Sequence, residues 1–228
     1  MEKSKITDVF FDLDHTLYDF DKNSAHTFND VFKELGLKGT ENFMIQFKPI
    51  NDYYWSRFAK EEITQDFLRY GRLKDTFDAI NVKITDDHIY HIADYFINNL
   101  ADYNHVFEGT YEALDYLKDK YRLHIITNGP EKVQELKLTN SKLDHYFETV
   151  TNSEKAGVKK PNPKIFEYAL NAANTNPMKS LMIGDNIEAD IIGAQQVGMN
   201  VIHFNEYQIK NDYNFTEINK LTELKNLL

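Results

Sequence analysis

Four short apolar runs, each followed at once by turn residues, constrain this chain more than any other feature. They occupy residues 6–11, 123–126, 180–183 and 199–204. Their length and their β-branched and aromatic content are those of strands. Helical patterns lie between them at 131–141, 163–173 and 188–197. Asn162 before Pro163 has the form of an N-cap followed by an N1 proline, which marks a helix start. Strands alternating with helices predict βαβ units and a parallel sheet covered on both faces, an α/β fold. In such sheets ligands sit at the carboxyl ends of the strands.

Residues 21–102 break this rhythm. Helical periodicity runs over 25–35, 43–58, 65–80 and 86–100, with Thr64 and Thr85 placed as N-caps. Pro49 is expected to kink or interrupt the second of these helices. A chain of 228 residues is long for one compact domain of roughly 100–200 residues and short for two. The predicted organisation is therefore a core of residues 1–20 and 103–228 with a four-helix lid, 21–102, inserted after the first strand. The asparagine-rich stretch 205–219 reads as a surface connection to a last amphipathic helix.

Composition removes several function classes. The net charge of −10 opposes non-specific nucleic-acid binding, because an acidic surface repels the phosphate backbone. A nucleotide substrate stays open, since a metal and a few cations can reverse the sign inside one cleft. There is no cysteine, so thiolate chemistry, disulfides and sulfur-bound zinc are excluded. No apolar stretch nears the roughly 20 residues of a membrane span, and the first strand is not preceded by a secretory segment. A cytoplasmic enzyme with no membrane partner is the expectation.

The candidate chemistry clusters where strands end. Asp12-Leu13-Asp14-His15-Thr16 follows the first strand. Along an extended chain, residues two apart face the same way, so Asp12 and Asp14 converge while Leu13 points elsewhere. Two carboxylates there suit a hard cation; the plain alternative is a polar turn. Thr127-Asn128-Gly129 follows the second strand and offers a hydroxyl and backbone N–H groups to phosphate oxygens. Taken alone it is a turn signal. Lys159-Lys160 precedes Pro161 and a helix start; taken singly, it reads as a solvated pair. Gly184-Asp185 follows the third strand, and Asp190 fits either a helix-start carboxylate or a partner of the lysine and metal. Ionised Asp12 and Asp185 with a phosphate dianion would place about four negative charges in one cleft. A divalent cation and a lysine would answer that charge, and magnesium is the usual partner of one or two carboxylates plus substrate phosphate.

These motifs, in this order, resemble the haloacid dehalogenase-like hydrolase superfamily: Asp12-x-Asp14-x-Thr16, Thr127-Asn128, Lys160-Pro161 and Gly184-Asp185-x4-Asp190. The resemblance covers nearly the whole chain. It implies a Rossmann-like core with a helical C1 cap inserted between the first two motifs. It also implies Asp12 as nucleophile, Asp14 as general acid and base, and Thr127, Asn128 and Lys160 around the phosphate, with Thr16 and Asp190 in support. Magnesium would be held by Asp185, the Asp12 carboxylate and the Asp14 carbonyl. Asp14-His15-Thr16-Leu17-Tyr18-Asp19-Phe20-Asp21 and Lys160-Pro161-Asn162-Pro163-Lys164-Ile165-Phe166 are similar to the pyrimidine 5′-nucleotidase branch, as is Ile126-Thr127-Asn128-Gly129. The cap residues Trp55 and Tyr70-Gly71-Arg72 extend that likeness, whereas His15 and Pro130 depart from it.

The expected reaction is magnesium-dependent hydrolysis of a small phosphate monoester, a nucleoside monophosphate on the branch resemblance. Asp12 attacks phosphorus, and Asp14 protonates the leaving oxygen and later deprotonates water. A neighbouring anion is expected to raise the Asp14 pKa for the acid step. Sugar-phosphate and phosphoglycolate phosphatases and phosphomutases share this core. Carbon–halogen hydrolysis is disfavoured because dehalogenases of the superfamily lack an acid like Asp14. A non-catalytic binding protein would be expected to have lost a nucleophile or metal ligand. Trp55, the single tryptophan, offers a face on which a nucleobase could stack, although an aromatic among Tyr53, Tyr54 and Phe58 is more often core.

Overall fold

The structure is a computed structural model that describes residues 6–228. The first five residues of the expected core segment lie outside the described residues. The chain forms two compact units. Phe20–Tyr103 is one; the residues up to Asp19 together with Asn104–Leu228 form the other.

The second of these is an α/β unit around a parallel sheet. Its strands are β1 (Asp8–Phe11), β2 (Arg122–Thr127), β3 (Thr149–Asn152), β4 (Ser180–Gly184), β5 (Asn200–Phe204) and β6 (Glu217–Ile218). Their spatial order is β3-β2-β1-β4-β5-β6, and every pairing is parallel. The chain builds outward from β1 through β2 and β3, then returns to β1's other side for β4. That reversal opens a crevice at the strands' carboxyl ends. Val9, Phe10, Phe11, Leu181, Met182 and Ile183 are fully buried, as central strands of a sheet covered on both faces must be.

The four helices of the other unit are α1 (Phe20–Glu34), α2 (Phe43–Ala59), α3 (Gln65–Ala79) and α4 (Asp86–Asn99). Thr64 and Thr85 cap α3 and α4, accepting from the N–H groups of Phe67 and His88. Phe28 centres an aromatic core, stacked on Phe96 at 4.4 Å and packed against Phe43 and Phe47, each at 4.9 Å. Arg72 brings a buried charge into this interior. It lies over the rings of Phe47 and Phe96 and donates to Asn51 Oδ1 at 2.7 Å. Burial pushes its pKa down to about 9, which leaves it cationic at neutral pH.

The remaining helices, α5 (Thr110–Lys118), α6 (Glu131–Asn140), α7 (Ser153–Ala156), α8 (Pro163–Ala172), α9 (Gly193–Gln196) and α10 (Leu224–Leu227), belong to the α/β unit. Asn162 caps α8 with Pro163 in its first turn. Ile165, Phe166 and Ala169 of α8 pack on Phe10, Ile126 and Met182 of the sheet.

Two expectations are refined. Helix α2 runs without interruption through Pro49; Phe43, Phe47, Asn51 and Tyr54, buried on both sides of the proline, hold it in place. The segment 205–219 is mostly exposed, as a surface connection to the last helix is expected to be, and it adds a short strand, because Glu217–Ile218 pairs with β5. Asn205 and Asn219 pin it: Asn219 donates to Asn205 O at 2.7 Å, and the Asn205 amide both accepts from Ile209 N–H and donates to Ile209 O at 2.9 Å. Among the described residues, no helix is long and apolar enough to cross a membrane.

Candidate active site

The strand ends bring the sequence motifs together. Asp12 leaves β1 with its N–H donating to Ile183 O at 2.9 Å, which ties the loop after β1 to β4. The chain then turns sharply: the Leu13 carbonyl accepts from the N–H groups of Leu17 and Tyr18, and His15 adopts a left-handed φ of 62°. Leu13 is fully buried whereas Asp14 is partly exposed, so the two point apart as the strand alternation predicts.

Lys160 supplies the cation at the centre of the site. Its Nζ donates to Asp12 Oδ1 and to Asp190 Oδ1, each at 2.6 Å, and to Ile126 O at 2.8 Å. These acceptors exhaust its three N–H bonds. The lysine is 2% exposed, so the solvated reading of the pair does not hold at position 160. Asp12 and Asp190 outweigh the opposing effect of burial and raise the lysine's pKa. Asp190 also accepts from Asn186 N–H at 3.1 Å, so it serves the helix start and the lysine at once. It is carried on a π-helical stretch, Ile187–Ile192, of the kind that recurs at functional sites. Gly184 makes that approach feasible, since a Cβ there would come within 2.3 Å of Asp190 Oδ2.

Asp185 is fixed by Thr16, whose hydroxyl donates to Asp185 Oδ1 and accepts from Asp185 N–H, both at 3.1 Å. His203 bonds the Asp185 carbonyl through Nε2 at 2.9 Å and Glu217 through Nδ1 at 3.0 Å. Carboxylate oxygens of Asp12, Asp185 and Asp190 all lie within 4.8 Å of one another. Three carboxylates face one ammonium, so the fully ionised cluster carries an excess of two negative charges. Burial, reinforced by Asp190 and by Asp14 against Lys160, pushes Asp12 up to about 7. Burial and the charges of Asp190 and Asp12 raise Asp185 well above the usual carboxylate range. A cluster of hard oxygen donors with surplus negative charge fits a divalent cation. The cluster's third carboxylate is Asp190.

The carboxylate of Asp14 is engaged elsewhere. Lys137 Nζ donates to its Oδ1 at 2.7 Å and Gln134 Nε2 to its Oδ2 at 2.9 Å. Burial alone would raise the pKa of Asp14, but Lys137 and Gln134 outweigh it and the net shift is downward. The expected rise is therefore reversed in the free protein, because an ammonium and an amide donate directly to the carboxylate.

Thr127 Oγ1 accepts from Gly129 N–H at 3.2 Å and from Gln134 Nε2 at 2.7 Å. With both lone pairs taken, its O–H remains as a donor. The Asn128 amide is turned to the Lys160 backbone, accepting from its N–H at 2.7 Å and donating to its carbonyl at 3.0 Å. The Asn128 side chain is thus occupied by the Lys160 backbone. Trp55 belongs to the helical unit, half-buried on α2 with its ring edge-on to Phe58 at 5.7 Å. Sequence reasoning missed Gln134, Lys137 and His203; the one available signal was the i, i+3 spacing of the first two on a helix.

Residues 9–204 match the family model described as haloacid dehalogenase-like hydrolase. The chain is 31% identical to the pyrimidine 5′-nucleotidase YjjG of Escherichia coli (strain K12) over 84% of its own length and 82% of that protein's. It is 30% identical to a glyceraldehyde 3-phosphate phosphatase of Methanothermobacter thermautotrophicus over 96% and 98% of the two chains. Among solved structures it resembles YfnB from Bacillus subtilis bound to magnesium, with a TM-score of 0.88, 24% identity and 98% of each chain covered. An α/β sheet with a helical insertion after β1, the four motifs gathered at its strand ends and a family match over most of the length place this chain in the haloacid dehalogenase-like hydrolase family.

Proposed function

We propose that this chain is a magnesium-dependent phosphatase that cleaves phosphate monoesters through an aspartyl-phosphate on Asp12, with nucleoside monophosphates, pyrimidine ones in particular, as substrates. The observation that carries the reading is the arrangement of Asp12. Lys160, itself held by Asp190, donates to its Oδ1, while its other oxygen has no hydrogen-bond partner among the described residues. One carboxylate oxygen is anchored and the other is available for attack.

In this reading Asp12 attacks phosphorus in line with the leaving ester oxygen. The Thr127 O–H, the Asn128 backbone N–H and Lys160, which would exchange one of its three hydrogen bonds for the substrate, bind the phosphoryl oxygens, where charge spreads in the transition state. Asp185, Asp12 and the Asp14 carbonyl would hold the magnesium ion, with Asp190 close by; when bound, it neutralises phosphoryl charge. Asp14 works twice. Its ionised resting form is the one that takes a proton from water when the aspartyl-phosphate is cleaved. A phosphate dianion arriving beside it supplies the anion that raises its pKa, so that it can protonate the leaving oxygen first.

The nucleotide assignment is supported by the likeness to a pyrimidine 5′-nucleotidase over most of both chains. A second reading, a phosphatase of small sugar-type phosphates, is favoured by a likeness to a glyceraldehyde 3-phosphate phosphatase at nearly the same identity, 30%, and over more of both chains, 96% and 98%. A turnover panel of pyrimidine and purine nucleoside monophosphates against glyceraldehyde 3-phosphate and phosphoglycolate decides between them. The highest kcat/KM is expected for a pyrimidine nucleotide; no nucleotide turnover would retract that assignment and leave the phosphatase reading standing.

A further inference from the structure

Helix α6 places two side chains one turn apart on the acid/base carboxylate. Lys137 is 3% exposed, and its ammonium lies 2.7 Å from Asp14 Oδ1 and 5.1 Å from the centre of the Tyr18 ring. Gln134, fully buried, divides the two hydrogens of its Nε2 between Asp14 Oδ2 and Thr127 Oγ1. Its amide oxygen is buried with no partner, so the side chain is oriented entirely by what its nitrogen donates to. Gly129 makes the room: a Cβ there would lie 2.4 Å from Gln134 Cδ and 2.5 Å from Nε2. Burying an ammonium, and leaving an amide oxygen unsatisfied, costs stability.

We propose that Gln134 and Lys137 are positioning residues for Asp14. Lys137 and Gln134 each hold one oxygen of its carboxylate, which fixes the plane of the group. Gln134 carries that constraint across to Thr127, and by filling a lone pair it sets where the Thr127 O–H can point. The acid/base group and a phosphate-binding hydroxyl are thereby held in one register. A misplacement of about 1 Å at such a site costs about a hundredfold in rate, which is the scale of advantage this bridge supplies. The inference rests on the phosphatase reading above and specifies how its acid step is aligned.

The test uses Lys137→Met, Lys137→Arg and Gln134→Leu in the full chain with magnesium. Each is assayed on an aryl phosphate with a good leaving group and an alkyl phosphate with a poor one, and kcat/KM reports the phosphoryl-transfer step. Lys137→Met and Gln134→Leu should lose about a hundredfold on the alkyl ester. The aryl ester, which needs no acid, should lose less than about tenfold in Lys137→Met; Gln134→Leu, which also frees the Thr127 hydroxyl, should lose more on it, but still less than on the alkyl ester. Lys137→Arg should recover most of the alkyl activity. Circular dichroism identifies any variant that fails to fold; Lys137→Arg keeps both a charge and a donor, so the comparison survives the loss of Lys137→Met. Parallel losses on both esters, or an unchanged alkyl-to-aryl ratio, would overturn the positioning role and leave the phosphatase reading intact. Absence of magnesium-dependent turnover in the unsubstituted protein would overturn both.

Discussion

The side-chain amide of Asn128 grips the backbone of Lys160 from both sides, accepting from its N–H at 2.7 Å and donating to its carbonyl at 3.0 Å. Residues 32 positions apart are thereby locked in register, and the lysine's ammonium is delivered to Asp12 and Asp190. Asn128→Ala should therefore act through Lys160. Two hydrogen bonds are lost, at about 1 kcal/mol each, and a shift of the ammonium by about 1 Å should lower kcat/KM roughly a hundredfold. Thermal unfolding and steady-state kinetics check both figures. A variant with full activity would mean that Lys160 is positioned by its own loop.

Gly184 is predicted to reject any side chain. A Cβ there would meet Asp190 Oδ2 at 2.3 Å, so either the strand end or the carboxylate must move. Gly184→Ala should destabilise the protein by about 1–3 kcal/mol and loosen the Asp190–Lys160 pair, seen as a lower Tm together with reduced activity.

The sequence disclosed the strand ends and little of what lies behind them. Asp12, Thr127, Lys160 and Asp185 could be placed because each directly follows, or closely precedes, a strongly patterned element. Strand β3, Thr149-Val150-Thr151-Asn152, was missed because it is four residues long and mostly polar; its pairing with β2 outweighs its weak local preference. Strand β6 is two residues long and exists through β5. Gln134 and Lys137 looked like ordinary polar positions of a helix, since their partners Asp14 and Thr127 are specified by tertiary structure. The same blindness reversed the Asp14 pKa: the neighbouring anion was visible in the sequence and the ammonium was not.

Metal binding should register in stability as well as in activity. Three carboxylates within 4.8 Å repel one another without a cation. Magnesium should raise Tm, and removing it with a chelator should abolish turnover. Asp185→Asn should raise the Tm of the metal-free protein by relieving that repulsion and should eliminate the magnesium-induced rise. Differential scanning calorimetry with and without magnesium tests both; an unchanged magnesium response in Asp185→Asn would remove that residue from the metal site.

Asp8 predicts part of the acid limb of stability. It is fully buried at the opposite end of β1, where Thr7, Thr175, His124 and Arg122 outweigh burial and lower its pKa. A carboxylate with a depressed folded pKa stabilises above its unfolded value, about 3.9, and that contribution is lost as pH falls through the lower folded value. Asp8→Asn should cost about 1–3 kcal/mol at neutral pH and flatten the stability profile below about pH 4. Urea unfolding across that range is the check, and an unaltered slope would contradict the assignment.

The most direct test of the account is whether Asp12 carries the phosphoryl group. Turnover of an aryl phosphate with magnesium is quenched in acid, and the modified peptide is located by mass spectrometry. The account predicts a base-labile acyl phosphate on the peptide containing Asp12, absent from Asp12→Asn, which should also lose at least about a thousandfold in kcat. Turnover in Asp12→Asn within tenfold of the unsubstituted protein, or a phosphoryl group on any other residue, would contradict it.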